Sequence, residues 1–306
     1  MALEKTQRLD QVAGAKYMLP NLLVNPGFEI WQRGAGPFTA DNDFTADEWM
    51  LDDNSGGWQI DRVTGGLNSP YMLKITGSGV TAEGAAQQGL EIATSLADLY
   101  VTFSADVWSN TASTARLVIA DYNGSTTDAA YSSYHDGDSQ WARLTVTKLM
   151  RSSLTDPGDW PHAFGAIVAL QCASNDSISY IDNAVAVAAE VPFPEGLSYA
   201  PLNPAEDQVR CERFYEVHGG VSTTYPAAYM YGSAGLTAAV PYGFRARKQA
   251  TPTVSKVGTW GVSNCSQPSI TYANSDGYCL SATVTVAGAF SFAPNSSDDT
   301  VTAEVT

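Results

Sequence analysis

The sequence predicts an all-β chain built as two sandwich-type domains, and three observations lead there. Between Leu99 and Trp108 the residues alternate: Leu99, Val101, Phe103, Ala105 and Val107 fall on one face, and Tyr100, Thr102, Ser104, Asp106 and Trp108 on the other. A period of two is that of a half-buried strand. Similar runs at 116–121, 142–149, 166–171 and 177–187 are separated by turn-forming stretches such as Asp121–Ser125 and Asp136–Ser139, the spacing of a sandwich or jelly roll. Finally, only 16% of the 306 residues are charged while 26 are glycine, which suits turn-rich β-structure better than helical bundles with long charged faces.

The elements divide the chain in order. Residues 1–19 are polar, with Leu3, Leu9 and Val12 near helical spacing; this is too short for a helix that stands alone and reads as an attachment arm. Residues 20–195 form the first sandwich. Pro192, Pro194, Pro201 and Pro204 then mark a stiff, proline-rich connection, with the linker proper at 196–204. Asn203 before Pro204 has the form of a helix N-cap followed by proline at the first helical position, so a short helix over 204–213 is expected. Residues 205–306 read as a smaller β-domain. Within it Ser281–Val286 alternates, with Ala282, Val284 and Val286 on one face, and Val301–Val305 alternates as well.

Charge and motifs exclude several classes. With 32 acidic and 16 basic residues the net charge is −16, which repels phosphate backbones, so no nucleic-acid partner is expected. The N-terminal residues contain no apolar leader, and no run approaches 18 apolar residues; neither secretion nor membrane insertion is expected. Cys172, Cys211, Cys265 and Cys279 show no CxxC spacing and are expected as thiols, with a Cys265–Cys279 bridge open if their strands face each other. His135, His162 and His218 form no HExxH, and neither GxSxG nor a P-loop occurs. No catalytic residue is therefore assigned and the chain is read as a non-enzyme. So many carboxylates always permit a pair spaced for glycoside hydrolysis, which keeps a polysaccharide-degrading enzyme as an alternative.

Aromatic residues point elsewhere. Sugar rings stack their C–H faces on exposed aromatic rings. Trp58, after Ser55-Gly56-Gly57, together with Tyr131, Tyr134 and Trp160 in turn-rich sequence, are the candidate glycan platform, while Trp49 and Trp108 read as core. The one basic cluster, Phe244-Arg245-Ala246-Arg247-Lys248, is either a solvated strand end or a patch for an acidic partner or a second copy.

Two stretches carry a family resemblance. NLLVNPGFEIWQRG at 21–34, followed by Thr45-Ala46-Asp47-Glu48-Trp49, resembles the opening of jelly-roll domains in bacteriophage tail-fibre and related virion proteins, and of carbohydrate-binding modules whose last strand carries an aromatic-x-Asp, here Tyr180-Ile181-Asp182. Glu206–Tyr215 is similar to the "RCxRfYe" junction that follows such domains in phage appendages, and Phe244-Arg245 with Ala250–Val254 to the next element. The resemblance implies a jelly roll whose first and last strands meet, with Glu29 and Asp182 as ligands of a structural calcium. It implies a structural virion protein made in the host cytoplasm, a tail fibre or similar appendage. Such a protein attaches to other virion proteins through its N-terminal segment, recognises host surface glycans and assembles as a homotrimer. A capsid or tail decoration protein that binds no sugar is the alternative within that class. One departure stands out: the family's Ala-Asp-Arg-Trp reads Ala46-Asp47-Glu48-Trp49 here, so any role of that arginine is lost or reversed.

Overall fold

The computed structural model describes residues 20–91, 93–155, 165–173, 177–193, 196–219, 227–294 and 300–305; the expected arm at 1–19 lies outside them. Ten strands build the first sandwich: β1 (Met50–Asp53), β2 (Trp58–Thr64), β3 (Tyr71–Gly77), β4 (Gly84–Gly89), β5 (Tyr100–Ser109), β6 (Ala115–Tyr122), β7 (Thr127–Tyr131), β8 (Trp141–Leu149), β9 (Ala166–Cys172) and β10 (Ile178–Ala189). They form two five-stranded sheets, ordered β1-β4-β9-β6-β7 and β2-β3-β10-β5-β8. The chain passes repeatedly from one sheet to the other, as in a jelly roll. Trp49, Trp58, Phe103, Ile119 and Leu170 meet in the layer between the sheets.

Strand β5 buries Val101, Phe103, Ala105 and Val107 as the alternation predicts, yet Thr102 and Ser104 on its other face are equally buried. The proline-rich segment after β10 covers them. The Phe193 amide donates to Thr102 Oγ1 at 3.3 Å and the Leu197 amide to Ser104 Oγ at 3.1 Å. Arg143 donates to the Leu197 carbonyl. The hydroxyls also bond across strands to Thr147 and Thr145, so the covered polar row is satisfied.

The opening segment runs along β10. The Leu22 amide donates to the Ala186 carbonyl at 2.8 Å, the Ala184 amide to the Pro26 carbonyl at 2.9 Å, and the Asn21 side chain bonds both Ala184 and Ala186. The first and last segments of the sandwich thus meet. Asn25 then turns the chain at φ +50°, a conformation that asparagine tolerates better than most residues. Its side chain accepts from the Ile30 amide at 3.0 Å and donates to the Ile30 carbonyl at 2.7 Å, closing the Pro26–Glu29 loop as a strand neighbour would. At Gly27 the chain passes so close to Tyr199 that a Cβ there would lie 2.5 Å from its hydroxyl, and the ring would have to move.

Helix α1 (Pro204–Glu212) begins where the N-cap signal places it, with Asn203 accepting from the Ala205 amide at 3.0 Å. Its Cys211, with Phe214, packs on Val24 and Ile30 of the opening segment. Nine more strands follow among the described residues: β11 (Tyr215–Gly219), β12 (Ala228–Gly232), β13 (Thr237–Gly243), β14 (Thr253–Lys256), β15 (Gly261–Ser263), β16 (Ser269–Asn274), β17 (Gly277–Thr283), β18 (Gly288–Ala293) and β19 (Thr300–Glu304). They make three small sheets, β11-β19-β14, β12-β18-β15 and β13-β17-β16, around Trp260, Tyr278, Leu280, Phe290 and Phe292. The alternation at 301–305 is that of a central strand, with Val301 and Ala303 buried. At 281–286 it holds for Ala282 and Val284 only. The strand ends at Thr283, and Val286 is 56% exposed.

Two sequence readings meet the structure here. All four cysteines are free: Cys265 pairs with Val284 in an isolated β-bridge, whereas Cys279 faces Pro241 and Tyr272, so the two thiols never meet. The basic cluster is solvated only in part: the Arg247 side chain is 77% exposed, but Lys248 and Arg245 are engaged by carboxylates. Lys248 is buried and donates to Glu216 at 2.9 Å and to the Glu212 carbonyl. Arg245 pairs with Glu212 and Glu216, and Arg247 with Asp276 at 3.3 Å. His218 completes the shell at 2.5 Å from Glu216 and 2.9 Å from the Tyr278 hydroxyl. Burial pushes the Glu216 carboxyl up, but the His218 bond, the Arg245 amide and Lys248 together outweigh it and hold it down to about 2.

Removing one side of such a buried pair leaves the other charge uncompensated. Glu216→Gln is therefore expected to lower the unfolding free energy by about 3 kcal/mol in urea titration; an effect within the scatter of surface substitutions would show that Lys248 has other support. Acid dependence arises from opposite shifts. Burial raises Asp47, Asp182 and Asp207 each to about 6, so their contribution is full below the ordinary carboxylate range and is lost as pH rises through about 6. Glu216 contributes above the ordinary range and its contribution fades as pH falls toward about 2. The thermal midpoint is expected to rise on acidification from neutral pH to about 5 and to turn over below about 4. A midpoint that falls steadily from neutrality would contradict the burial of the three aspartates.

Candidate functional site

The sheet β1-β4-β9-β6-β7 turns Ala86, Leu117, Ile119, Val168 and Leu170 into the core. Alternation therefore sends their neighbours outward. Strand register aligns Asp52, Ala85, Gln171 and Arg116 in one row and Gln87, Ala169, Val118 and Tyr131 in the next. Ala85, Val118, Ala120, Ile167 and Ala169 make a floor of short side chains. Longer side chains at the two ends flank it. The result is a groove of about 400 Å³ with Asp41, Asn42, Asp52 and Asn54 at one end and Thr127 and Tyr131 at the other.

The Tyr131 end is held by a polar network. Arg116 Nε donates to Gln171 Oε1 at 2.7 Å, and Gln171 Nε2 donates to Glu83 at 2.7 Å. The Arg116 guanidinium lies 3.9 Å from the Tyr131 ring centre and 4.8 Å from that of Tyr134. Both rings are thereby held by a cation–π contact, and Tyr131 remains 48% exposed. At the other end Asn54 donates to Asp52 at 2.9 Å. Burial, then the charge of Asp41, raises the Asp52 carboxyl above the ordinary range.

Of the four predicted platform residues, the structure brings two together. Tyr131 and Tyr134 share Arg116, Tyr131 on the groove itself and Tyr134 half-buried behind it. Trp58 is corrected: it is fully buried, its indole donates to the Ala82 carbonyl at 3.0 Å, and its ring lies where a Cβ on Gly77 or Gly84 would sit. The glycine-rich turn before it ends at Gly57, and Trp58 is already the first inward residue of β2. Trp160 lies outside the described residues. Sequence reasoning missed Gln87, Gln171, Asp52 and Asn54. The available signal was glutamine in the otherwise small and apolar strands AAQQG and AIVALQC.

The expected calcium pair consists of Glu29 and Asp182. Asp182 accepts from the Leu67 amide at 2.6 Å and from the Asn183 amide at 2.7 Å, anchoring the bulge of β10 between Asp182 and Val185. Glu29 is half-buried and, with Asp182 and Asp207, acts on the Tyr199 hydroxyl, which burial first and these charges next hold far above its ordinary range. Among the described residues no three His, Cys, Asp or Glu side chains converge to hold a metal.

No protein-family model and no curated protein matches the chain. Among solved structures it is similar to the enzymatically active domain of tailspike protein 4 of bacteriophage CBA120, at 11% identity and TM-score 0.39 over 55% of this chain and 21% of that one. It is similar also to the CBM22-1 xylan-binding domain from Paenibacillus barcinonensis, at 14% and 0.38 over 57% and 97%. A third is TmCBM61 in complex with β-1,4-galactotriose, at 12% and 0.34 over 56% and 99%. The chain spans about a fifth of the tailspike domain and nearly all of the two modules. At these values the likenesses carry no functional argument, and any function assigned to the chain rests on the groove.

Proposed function

We propose that the chain is a non-catalytic, glycan-binding appendage protein of a bacteriophage particle, joined to other virion proteins through its N-terminal segment and assembled as a homotrimer. The groove carries the glycan reading. Its floor of alanine, valine and isoleucine lets a sugar chain lie close to the sheet. Tyr131 offers a ring face to pyranose C–H groups. Gln87, Gln171, Asp52 and Asn54 supply the paired donors and acceptors that neighbouring sugar hydroxyls need. The virion reading is supported by the resemblance of residues 21–34 and 206–215 to phage appendage proteins.

Glycan-array and calorimetric titration test it. Tyr131→Ala and Gln171→Ala are each expected to weaken binding by roughly tenfold, the loss of one stacking or amide contact. Affinity unchanged in the double variant would remove the groove from the proposal.

One observation favours a second reading: Asp41 and Asp52 line the groove together and Asp52 is raised, as the general acid of a glycoside hydrolase is. As a binder, the chain is expected to leave the length of its bound polysaccharide unchanged. New reducing ends released by the wild type and abolished in Asp52→Asn would establish the hydrolase instead.

A further inference from the structure

The strands of β12-β18-β15 and β13-β17-β16 contain no Asp, Glu, Lys or Arg in any of their residues, in a chain of net charge −16. Each sheet has two edges. Exposed edges invite pairing with another chain unless charge, proline, a bulge or shortness blunts them. Strand β13 carries Pro241, β16 is irregular between Ile270 and Tyr272, and β15 has three residues. Strand β12 has none of these protections, and among the described residues only β18 pairs with it.

The face beside that edge is equally bare. Tyr229 and Tyr231 are 70% and 76% exposed, and their rings meet edge to face at 6.3 Å. Register sets them beside Ser291 and Ala289 of β18, a low floor under two tall rings. Tyrosine is enriched at interface centres and charge is depleted there.

We propose that β12, with Tyr229 and Tyr231, is where copies of this chain meet. Charge selects the occupant. A second copy, as acidic as the first, is repelled least where the facing strands carry no charge. A partner of opposite charge finds nothing here to pair with. The inference deepens the proposed homotrimeric assembly and rests on it, but it does not depend on the glycan groove.

Sedimentation velocity on the full chain is the test, with the double substitution Tyr229→Glu and Tyr231→Glu and with Tyr272→Glu as control, since Tyr272 is 58% exposed on β16. The wild type and the control are expected to sediment as oligomers. The double variant is expected to fall to monomer mass with its far-ultraviolet dichroism, urea midpoint and groove affinity unchanged. A monomeric wild type, or a double variant that stays assembled, would overturn the proposal. So would a monomeric wild type whose double variant loses binding on a neutral-glycan array, because the tyrosines would then serve sugar. Assembly through β12 without any glycan binding would sink the groove and leave this inference standing.

Discussion

The structure depends on the docking of the Asn25–Ile30 loop against helix α1. The Asn25 backbone amide donates to Asp207 at 3.0 Å, its side chain closes the loop on Ile30, and its carbonyl accepts from the Phe28 amide and from the Trp49 indole. The residue is completely buried, and each of these polar groups has a partner, as burial demands. Aspartate would lose the donor that reaches the Ile30 carbonyl. Glycine would adopt the backbone angle but leave both Ile30 groups bare. Around this point Arg210 donates to the Asn21 and Leu22 carbonyls, and Gln32 donates to the Tyr215 carbonyl. The Arg33 guanidinium lies 3.8 Å from the Tyr215 ring centre and pairs with Glu304. One contact surface thus fixes the start of the sandwich, the helix and the central strand of the β11-β19-β14 sheet.

Scarce cations gather at this junction and at the Glu216 cluster beside it. Of 16 basic residues, Arg33, Arg210, Arg213, Arg245 and Lys248 lie there, and their partners Asp47, Glu91, Glu212 and Glu216 include some of the least exposed carboxylates. Ion pairs of this kind add little net stability, because desolvation offsets their attraction. They do penalise every arrangement in which a charge is buried without its partner. The junction therefore reads as a device for fixing how sandwich and helix meet. The exterior keeps the acidic excess, and the strands of the β12-β18-β15 and β13-β17-β16 sheets carry no charged residue.

The sandwich strands were legible because their alternation and turn residues are local signals. So was the helix start, where Asn203 and Pro204 act within two residues. The second face of β5 was not legible, because its cover comes from Phe193 and Leu197, some ninety positions away. The basic cluster misled for the same reason: Glu212 and Glu216 lie about thirty residues upstream, and no local pattern announces that they neutralise Arg245 and Lys248. The groove was half legible. Tyr131 and Tyr134 could be picked out by their turn-rich surroundings, but Gln87 and Gln171 gain meaning only when β4 and β9 pair. Trp58 failed because a glycine-rich turn signals exposure for its own residues and says nothing of the first residue beyond it.

The two motifs that carry the family resemblance face each other across the junction, and this limits what they say about ligands. Asn25, Gly27, Ile30 and Gln32 of the opening, and Arg210, Cys211, Phe214 and Tyr215 of the second stretch, are committed to loop closure, burial or mutual hydrogen bonds. None of them lines the groove. Substitution at any of these positions acts first on how the sandwich joins helix α1 and β11, whereas the groove side chains stand on the far face of a sheet whose core does not depend on them. A chain can therefore keep both motifs while exchanging Gln87, Gln171 or Tyr131. The resemblance speaks to architecture, and the proposed glycan site rests instead on the outward rows of β4, β9, β6 and β7.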